Sequence, residues 1–217
     1  MTANLKDAWK TERLYFRSIR ETDYDWFFND IDSDPLNKAL SNPSLLAPPR
    51  RQKPEEWYKM WEGPNRLLDL VICLRQTANP FNPEGPRKEG GDSPDKTQPE
   101  ERRIGVLCVI YSGYGRSPHS GACELGITLV SSYQDRGFGT EAVKWALDWA
   151  FRRANMHSVN LSSVEYNKRA HRCYEKCGFK LEGRRRQCFW HERKWYDLFF
   201  YGILEDEWDE LRSKEST

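Results

Sequence analysis

The chain has 217 residues, of which 38% are hydrophobic, and its 34 basic and 33 acidic side chains leave a formal net charge of +1. This length suits one domain with a full core, and so balanced a charge gives no reason to expect a nucleic-acid partner. No apolar run is long enough to span a bilayer, and residues 1–7 lack the charged and then apolar pattern of a signal peptide. We therefore expect a cytoplasmic protein with no membrane partner, folded as a single domain over residues 1–217.

The cysteines indicate neither a disulfide scaffold nor a metal site. All six lie in apolar segments of a chain that is long enough to need no cross-links: Cys73, Cys108, Cys123, Cys173, Cys177 and Cys188. Cys173 and Cys177 are one helical turn apart with His171 nearby, but their spacing matches no standard zinc site. The sequence predicts reduced, mostly buried thiols and no bound metal.

The first third of the chain predicts a strand followed by two helices. Residues 11–19 alternate in polarity as a strand does, and Thr22 or Asp23 then stands where a helix cap is expected. A second helix begins at Pro54, because proline is favoured in the first turn of a helix.

A polar insertion interrupts the sheet that follows. Apolar runs at 67–74 and 104–111 predict the second and third strands, and residues 77–103 between them are rich in Pro, Gly and charged side chains. A segment with so few aliphatic residues cannot bury enough apolar surface to offset its ordering entropy. The sequence predicts a disordered insertion at 77–103 within the same domain.

The second half of the chain alternates strands and helices and ends in a hairpin. The predicted elements are a central strand at 122–130, a helix from Gly139, a strand at 158–164, a helix capped by Asn167 and ended by Gly178, strands at 179–190 and 195–204, and a helical tail at 205–214. The helix from Gly139 carries an apolar stripe at Ala142, Val143, Ala146, Leu147 and Ala150. That stripe predicts a helix lying on the sheet.

The turn between the central strand and its helix has the features of an anion-binding site. Gly137 and Gly139 let the backbone turn tightly and bring N–H groups close to a ligand. The new helix adds its unpaired N-terminal donors and positive dipole end, and Arg136 adds a charge. The stretch 134–139 therefore predicts a phosphate-binding turn.

One interpretation of this turn is a dinucleotide site. Gly137-x-Gly139-x-x-Ala142 satisfies the dinucleotide fingerprint, and Glu165 lies near the distance of a ribose-binding acid. That fold needs the turn after the first strand of a repeated parallel array, whereas here it comes late in the chain. A nicotinamide-dependent oxidoreductase is therefore the weaker alternative.

Taken together, several short motifs in one order resemble the GNAT superfamily of acetyl-CoA-dependent N-acetyltransferases. The first motif is Gln134-x-x-Gly137-x-Gly139, which follows a strand bearing Glu124. The second, later in the chain, is Asn167-x-x-Ala170-x-x-x-Tyr174-x-x-x-Gly178-Phe179. Further matches lie near the N-terminus at 11–17 and 20–23 and near the C-terminus at 178–183, 195–197 and 207–208. The resemblance is strongest to the branch of ribosomal-protein alanine N-acetyltransferases and spermidine or small-amine acetyltransferases. It covers nearly the whole chain apart from 77–103.

The resemblance implies a fold and a cosubstrate. The fold is a mixed α/β (α+β), mostly antiparallel sheet of six to seven strands, splayed at strands four and five, with helices on both faces. Acetyl-CoA, without a metal, lies in the splay, where backbone groups of Leu129 and Val130 pair with the pantetheine arm and polarise the thioester. The other cofactor-binding positions are Gln134, Arg136, Gly137, Phe138, Gly139, Thr140 and Asn167, with the pyrophosphate at 136, 137, 139 and 140.

The same resemblance supplies catalytic candidates. Glu124 is the candidate base that removes the proton of the amine, with a surface or ion-paired glutamate as the alternative. Tyr174 is the candidate acid for the leaving thiolate, or else a core tyrosine bonded to the backbone. Asn167 binds the cofactor arm, caps its helix, or does both.

The acceptor is a primary amine on a protein N-terminus or a small molecule. Six aromatic residues can form its site or only fill core: Trp26, Trp57, Trp61, Phe189, Trp190 and Trp195. The expected assembly is a monomer or homodimer. A non-catalytic protein that only binds CoA is the remaining alternative.

Overall fold

A computed structural model describes residues 7–41, 46–75, 101–112 and 118–215. The strands in these ranges are β1 (Leu14–Ser18), β2 (Arg66–Leu74), β3 (Arg103–Tyr111), β4 (Ala122–Leu129), β5 (Ser158–Val164), β6 (Lys180–His191) and β7 (Lys194–Leu204). The α-helices are α1 (Tyr24–Phe27), α2 (Pro35–Ser41), α3 (Pro54–Lys59), α4 (Phe138–Arg153), α5 (Lys168–Lys176) and α6 (Glu205–Glu215). Within the described ranges, no helix is long and apolar enough to cross a membrane.

The seven strands form one sheet in the order β1-β2-β3-β4-β5-β7-β6, and β4 with β5 is the parallel pair. Pairing between β4 and β5 ends at Glu124 and Asn160, although β4 runs on to Leu129 and β5 to Val164. The sheet is therefore split open where these strands diverge, which confirms the predicted mixed sheet splayed at strands four and five. A sheet that is mostly antiparallel rules out the doubly wound array that the dinucleotide interpretation requires.

Two apolar cores lie on opposite faces of the sheet. In β2, alternate side chains serve different cores: Leu70 and Ile72 belong to the core beneath α4, whereas Val71 and Cys73 belong to the other core, with Trp57 of α3. This alternation is the period of a strand buried on both faces. Helices on both faces were predicted, and the structure confirms them.

Helix α4 holds the first core in place through the stripe that the sequence predicts. All five stripe residues are at most 2% exposed. Burying each Val or Leu side chain contributes about 1.5–3 kcal/mol to stability. The helix is therefore firmly seated, and so is the position of its N-terminus beside the split in the sheet.

The end of the predicted insertion is part of the fold. Residues 76–100 lie outside the described residues, but Arg103 begins β3, and the Glu101 carboxylate accepts hydrogen bonds from Tyr15 and Arg17. Arg17 also pairs with Asp23, which is 1% exposed. The boundary at 103 is therefore wrong, because Arg17 and Tyr15 of β1 hold Glu101 in place.

Candidate active site

A cleft of about 510 Å³ fills the split between β4 and β5. We call it the central cleft. Its walls are Glu124–Leu129 of β4, the end of β5, the glycine turn before α4, one face of α5, and part of α2. Most of the predicted cofactor and catalytic residues line it, namely Glu124, Leu129, Gln134, Gly137, Gly139, Thr140, Asn167 and Tyr174.

The backbone of β4 offers hydrogen-bonding groups to this cleft. The N–H of Val130 donates to the Ile104 carbonyl of β3 at 2.9 Å. Because an antiparallel strand alternates the direction of its N–H and C=O groups, Ile127 and Leu129 point theirs away from β3, toward the split. The N–H of Val130 is therefore not available to a ligand in this arrangement. Its N–H is already bonded, and Ile127 and Leu129 face the cleft instead.

The turn after β4 forms an anion cradle. Gly137 is the N-cap of α4 in the left-handed region, with φ of 81°, and no side chain caps the helix there. Among the described residues, the first N–H groups of this 16-residue helix have no capping partner, and Gly137, Gly139 and Thr140 line the cleft. Unpaired N–H groups and the positive dipole end together favour a bound anion such as a phosphate.

Two predicted turn residues face elsewhere. Phe138 is 2% exposed and packs in the core, with the Arg13 guanidinium 4.6 Å above its ring. Arg136 is exposed, and its guanidinium lies 5.9 Å from the centre of the Tyr133 ring. Neither side chain lines the cleft. The prediction that Arg136 places a charge in the cradle is therefore not met by this arrangement.

Basic residues of α5 line the cleft in its place. They are Arg169, Arg172 and Lys176, of which Arg169 pairs with Asp135 at 3.1 Å. Sequence reasoning missed them, although their i, i+3 and i+7 spacing puts all three on one helical face. Arg172 and Lys176 can therefore supply positive charge to an anion at the turn.

A small amide network joins α2 to the turn. Gln134 Nε2 donates to the Leu129 carbonyl at 2.9 Å and to Asn37 Oδ1 at 2.7 Å. A carbonyl only accepts, so Nε2 must face it, and Asn37 must then present its oxygen. This leaves Gln134 Oε1 and Asn37 Nδ2 buried without a partner among the described residues, in side chains that line the cleft. An amide group of a ligand can satisfy both atoms, because its N–H donates to the unpaired oxygen and its carbonyl accepts from the unpaired nitrogen.

Glu124 stands where β4 and β5 begin to diverge. Its side chain is half-buried and lines the cleft. Its carboxylate forms no ion pair with any described residue, and Asn160 is its β5 neighbour in the parallel register. An unpaired carboxylate at the mouth of the split is placed to accept a proton from a ligand.

Tyr174 has a buried ring and a hydroxyl at the cleft. The ring is 8% exposed and packs against Phe179 and Tyr201, with centroids 6.0 Å away in each case. Tyr174 belongs to the core beneath α4, as the alternative predicts, but its hydroxyl makes no hydrogen bond with the described residues. Burial raises the pKa of Tyr174, so the hydroxyl keeps its proton near neutral pH and serves as a donor.

Asn167 has a structural role that sequence reasoning also foresaw. Its Oδ1 accepts from the Ala170 N–H at 3.2 Å and caps α5, and its Nδ2 donates to the Leu40 carbonyl at 3.5 Å. Tyr166 likewise donates to the Ala39 carbonyl at 2.6 Å. These bonds fasten the end of α2 over the cleft.

The thiol of Cys173 also lines the cleft. A hydrogen bond from Cys177 lowers the pKa of Cys173 to about 7, and Thr140 Oγ1 lies 3.5 Å from its sulfur. All six cysteines are free, as predicted. Across the described ranges, no group of three or more His, Cys, Asp and Glu is arranged to hold a metal ion.

A second cavity of about 390 Å³ is lined by residues of α1, α3, β3 and β4. Five of its wall residues are aromatic, namely Tyr24, Phe27, Phe28, Trp57 and Trp61, and we call it the aromatic cavity. It shares Ser41 and the β4 residues Gly126, Ile127 and Thr128 with the central cleft. The two spaces therefore meet at the exposed backbone of β4.

The predicted acceptor aromatics divide between several places. Trp57 and Trp61 line the aromatic cavity, and Phe189 lines the central cleft. Trp190 and Trp195 pack on each other in the exposed β6–β7 hairpin, 60% and 56% exposed. Those two line neither space, and Trp26 lies instead beneath the Arg103 guanidinium.

Comparison with known proteins supports one family. The model of the Acetyltransferase (GNAT) domain matches residues 13–180. An uncharacterized N-acetyltransferase of Bacillus subtilis, YnaD, is 29% identical over 126 residues, covering 56% of this chain and 71% of that protein. A spermidine N(1)-acetyltransferase of Vibrio cholerae is 29% identical over 109 residues, covering 50% of this chain and 61% of the relative.

The fold has solved counterparts. The crystal structure of spermidine N-acetyltransferase from Vibrio cholerae, in complex with CoA and spermine, superposes with a TM-score of 0.67 at 18% identity. The match covers 91% of this chain and 99% of that one. With a family model spanning most of its length and this fold, the chain belongs to the GNAT acetyltransferase family.

Proposed function

We propose that the protein transfers the acetyl group of acetyl-CoA to a primary amine by direct attack in a ternary complex. The observation that carries the proposal is the split between β4 and β5. It exposes the N–H groups of Ile127 and Leu129 and ends at the uncapped N-terminus of α4. A ligand with an extended arm that ends in a phosphate can bond to the β4 N–H groups and place its phosphate at the N-terminus of α4.

Each part of the cosubstrate has a matching group in the central cleft. The pyrophosphate binds the N–H groups at Gly137, Gly139 and Thr140, with Arg172 and Lys176 nearby. The pantetheine arm runs along β4 as an added strand. One of its amides satisfies the buried atoms of Asn37 and Gln134 that have no partner among the described residues.

The chemistry needs little beyond positioning and proton transfer. Glu124 takes the proton of the ammonium group, directly or through water, and the amine nitrogen then attacks the thioester carbonyl carbon. The N–H of Ile127 or Leu129 stabilises the charge that develops on the carbonyl oxygen. As the carbon–sulfur bond breaks, the Tyr174 hydroxyl donates its proton to the leaving thiolate, and the second proton that the nitrogen loses as the amide forms restores the Tyr174 hydroxyl. The amine approaches from the aromatic cavity, because this space meets the cleft at β4.

The first test is a calorimetric titration of the purified protein with acetyl-CoA and, separately, with NAD. We expect acetyl-CoA to bind and NAD not to bind. Arg172→Glu should lose more affinity than Arg136→Glu, since only Arg172 lines the cleft. A folded protein that binds no acetyl-CoA would contradict the proposal.

The second test measures thiol release with acetyl-CoA and a panel of primary amines. Release that requires the amine and falls sharply in Glu124→Gln would support an enzyme. Tight acetyl-CoA binding without amine-dependent release from any amine would favour a protein that only binds CoA.

A further inference from the structure

The aromatic cavity has a continuous aromatic wall. The Trp57 ring lies 5.6 Å from Tyr24, 5.2 Å from Phe27 and 5.8 Å from Trp61, between centroids. A wall of this kind favours an apolar or aromatic ligand body, which gains about 25 cal/mol for each Å² of apolar surface buried.

The aromatic faces can also attract cations, but side chains of this protein already occupy several of them. The Arg66 guanidinium lies 5.1 Å from the centre of the Trp61 ring. The Arg51 guanidinium lies 5.8 Å from the Tyr24 ring and 5.3 Å from the Phe28 ring. Each of these guanidinium groups is paired with a carboxylate of this protein, so a second cation must displace a group that already covers the ring face. The rings are therefore better suited to apolar contact than to binding an additional ammonium group.

The ionisable side chains of the wall give the same preference. The described lining contains Asp32, Lys38 and Arg50, and Asp32 pairs with Lys38 at 3.6 Å. Arg50 then leaves the wall with an excess of positive charge. A polyamine carries several ammonium groups, and each of them requires a carboxylate partner or is repelled. The cavity provides no unpaired carboxylate among its described lining residues.

Two indole groups indicate what else the ligand carries. The Nε1 atoms of Trp57 and Trp61 are buried and have no hydrogen-bond partner among the described residues. Both residues line the cavity, and an unsatisfied buried donor costs about 1–3 kcal/mol. A ligand with a carbonyl, carboxyl or hydroxyl oxygen that reaches either Nε1 atom can relieve that cost.

We propose that the acceptor is a small primary amine with an aromatic or other apolar body and an oxygen acceptor, and with no second ammonium group. The inference rests on the proposed function, since it places this amine beside the acetyl group held in the central cleft. The single reacting amine lies toward Glu124, its apolar body against Trp57 and Trp61, and its oxygen toward the indole N–H groups.

The test compares two matched amines, L-phenylalaninamide and L-lysinamide, with spermidine as a third. The two amides share the α-amine and the carboxamide and differ in an apolar or a cationic side chain. We expect kcat/KM for phenylalaninamide to exceed that for lysinamide and for spermidine by about tenfold or more. Equal rates, or a preference for lysinamide or spermidine, would overturn the inference.

Variants locate the preference in the cavity. Arg50→Glu should lower the ratio of phenylalaninamide to lysinamide several-fold, and Trp61→Ala should weaken phenylalaninamide alone. Lys59→Glu and Trp9→Ala are the matched controls, since both residues are exposed and line neither space. A ratio that is unchanged in Arg50→Glu, or changed equally in Lys59→Glu, would contradict the assignment of the cavity.

Calorimetry separates this inference from the proposed function. Each amine is titrated into the free protein and into the protein saturated with CoA. Tighter binding of phenylalaninamide than of lysinamide, weakened in Trp61→Ala, supports the cavity assignment even without turnover. If acetyl-CoA binds normally but lysinamide binds more tightly than phenylalaninamide, the inference is contradicted and the proposed function is not affected.

Discussion

Replacing Gly137 by alanine tests the anion cradle through a strain that can be worked out from the backbone. Gly137 has φ of 81° and ψ of −5°, a left-handed conformation that costs an L-residue about 1–2 kcal/mol. An added Cβ would lie 3.3 Å from Arg13 Nη2, the end of a flexible side chain that can move. The strain therefore comes mainly from φ, and Gly137→Ala should lower the free energy of unfolding by about 1–2 kcal/mol.

The same strain should appear in ligand binding. If the variant relaxes by rotating φ, the N–H groups of the first turn leave the cradle. Restoring them then costs about 1–2 kcal/mol, which raises the Kd for acetyl-CoA about 5- to 30-fold. Urea denaturation and calorimetry measure the two quantities. Gly183→Ala is the control, because no atom of the described residues lies within 4 Å of its added Cβ. Unchanged stability together with unchanged affinity in Gly137→Ala would refute the reasoning.

Three further predictions concern the charged cluster and the catalytic groups. The Arg17 guanidinium lowers the pKa of Glu101. Burial raises the pKa of Asp23, but hydrogen bonds from Arg17, the Arg20 N–H and Arg103 together lower it below its ordinary value. The stabilisation from both carboxylates is therefore full above the ordinary carboxyl range and is lost as pH falls through the lowered values. Urea midpoints should therefore fall as the pH drops below about 4, and Arg17→Met should remove this part of the pH dependence. Glu124→Gln should cut kcat/KM by about 10²–10⁴ while acetyl-CoA binding persists, and equal turnover would exclude it as the base. Tyr174→Phe should lower kcat but change the free energy of unfolding by less than about 0.5 kcal/mol, because its hydroxyl bonds no described residue. A large loss of stability would indicate that the Tyr174 hydroxyl stabilises the fold.

Much of the fold could be predicted because its signals are local. The stripe of α4, the cap at Asn167 and the glycine end of α5 each depend on residues within a few positions of one another. The structure contains all three features. The order of the motifs along the chain was then enough to predict the family.

The sequence of β4 alone does not predict which of its residues direct their N–H groups toward the cleft. Whether Leu129 or Val130 faces the cleft depends on the register with β3, where Gly105 opposes Leu129. A shift of one residue would exchange the two roles. Residues 122–130 alone do not contain that register.

Contacts between distant segments were also beyond sequence reasoning. Asn37 and Gln134 meet across 97 positions, and Glu101 and Arg17 across 84. The basic face of α5 was overlooked for another reason. Arg136 adjoins the glycines in sequence, but the left-handed residue Asp135 and the turn direct its side chain outward.

The most direct test of the account is backbone hydrogen exchange in β4, followed by NMR with and without acetyl-CoA. The N–H groups of Ile127 and Leu129 face the split and should become protected when acetyl-CoA binds. The Val130 N–H already donates to Ile104 within the sheet, so its exchange should change little. Protection of Ile127 and Leu129 that Gly137→Ala weakens would place the ligand between β4 and β5. Binding of acetyl-CoA with no added protection at either residue would contradict the account.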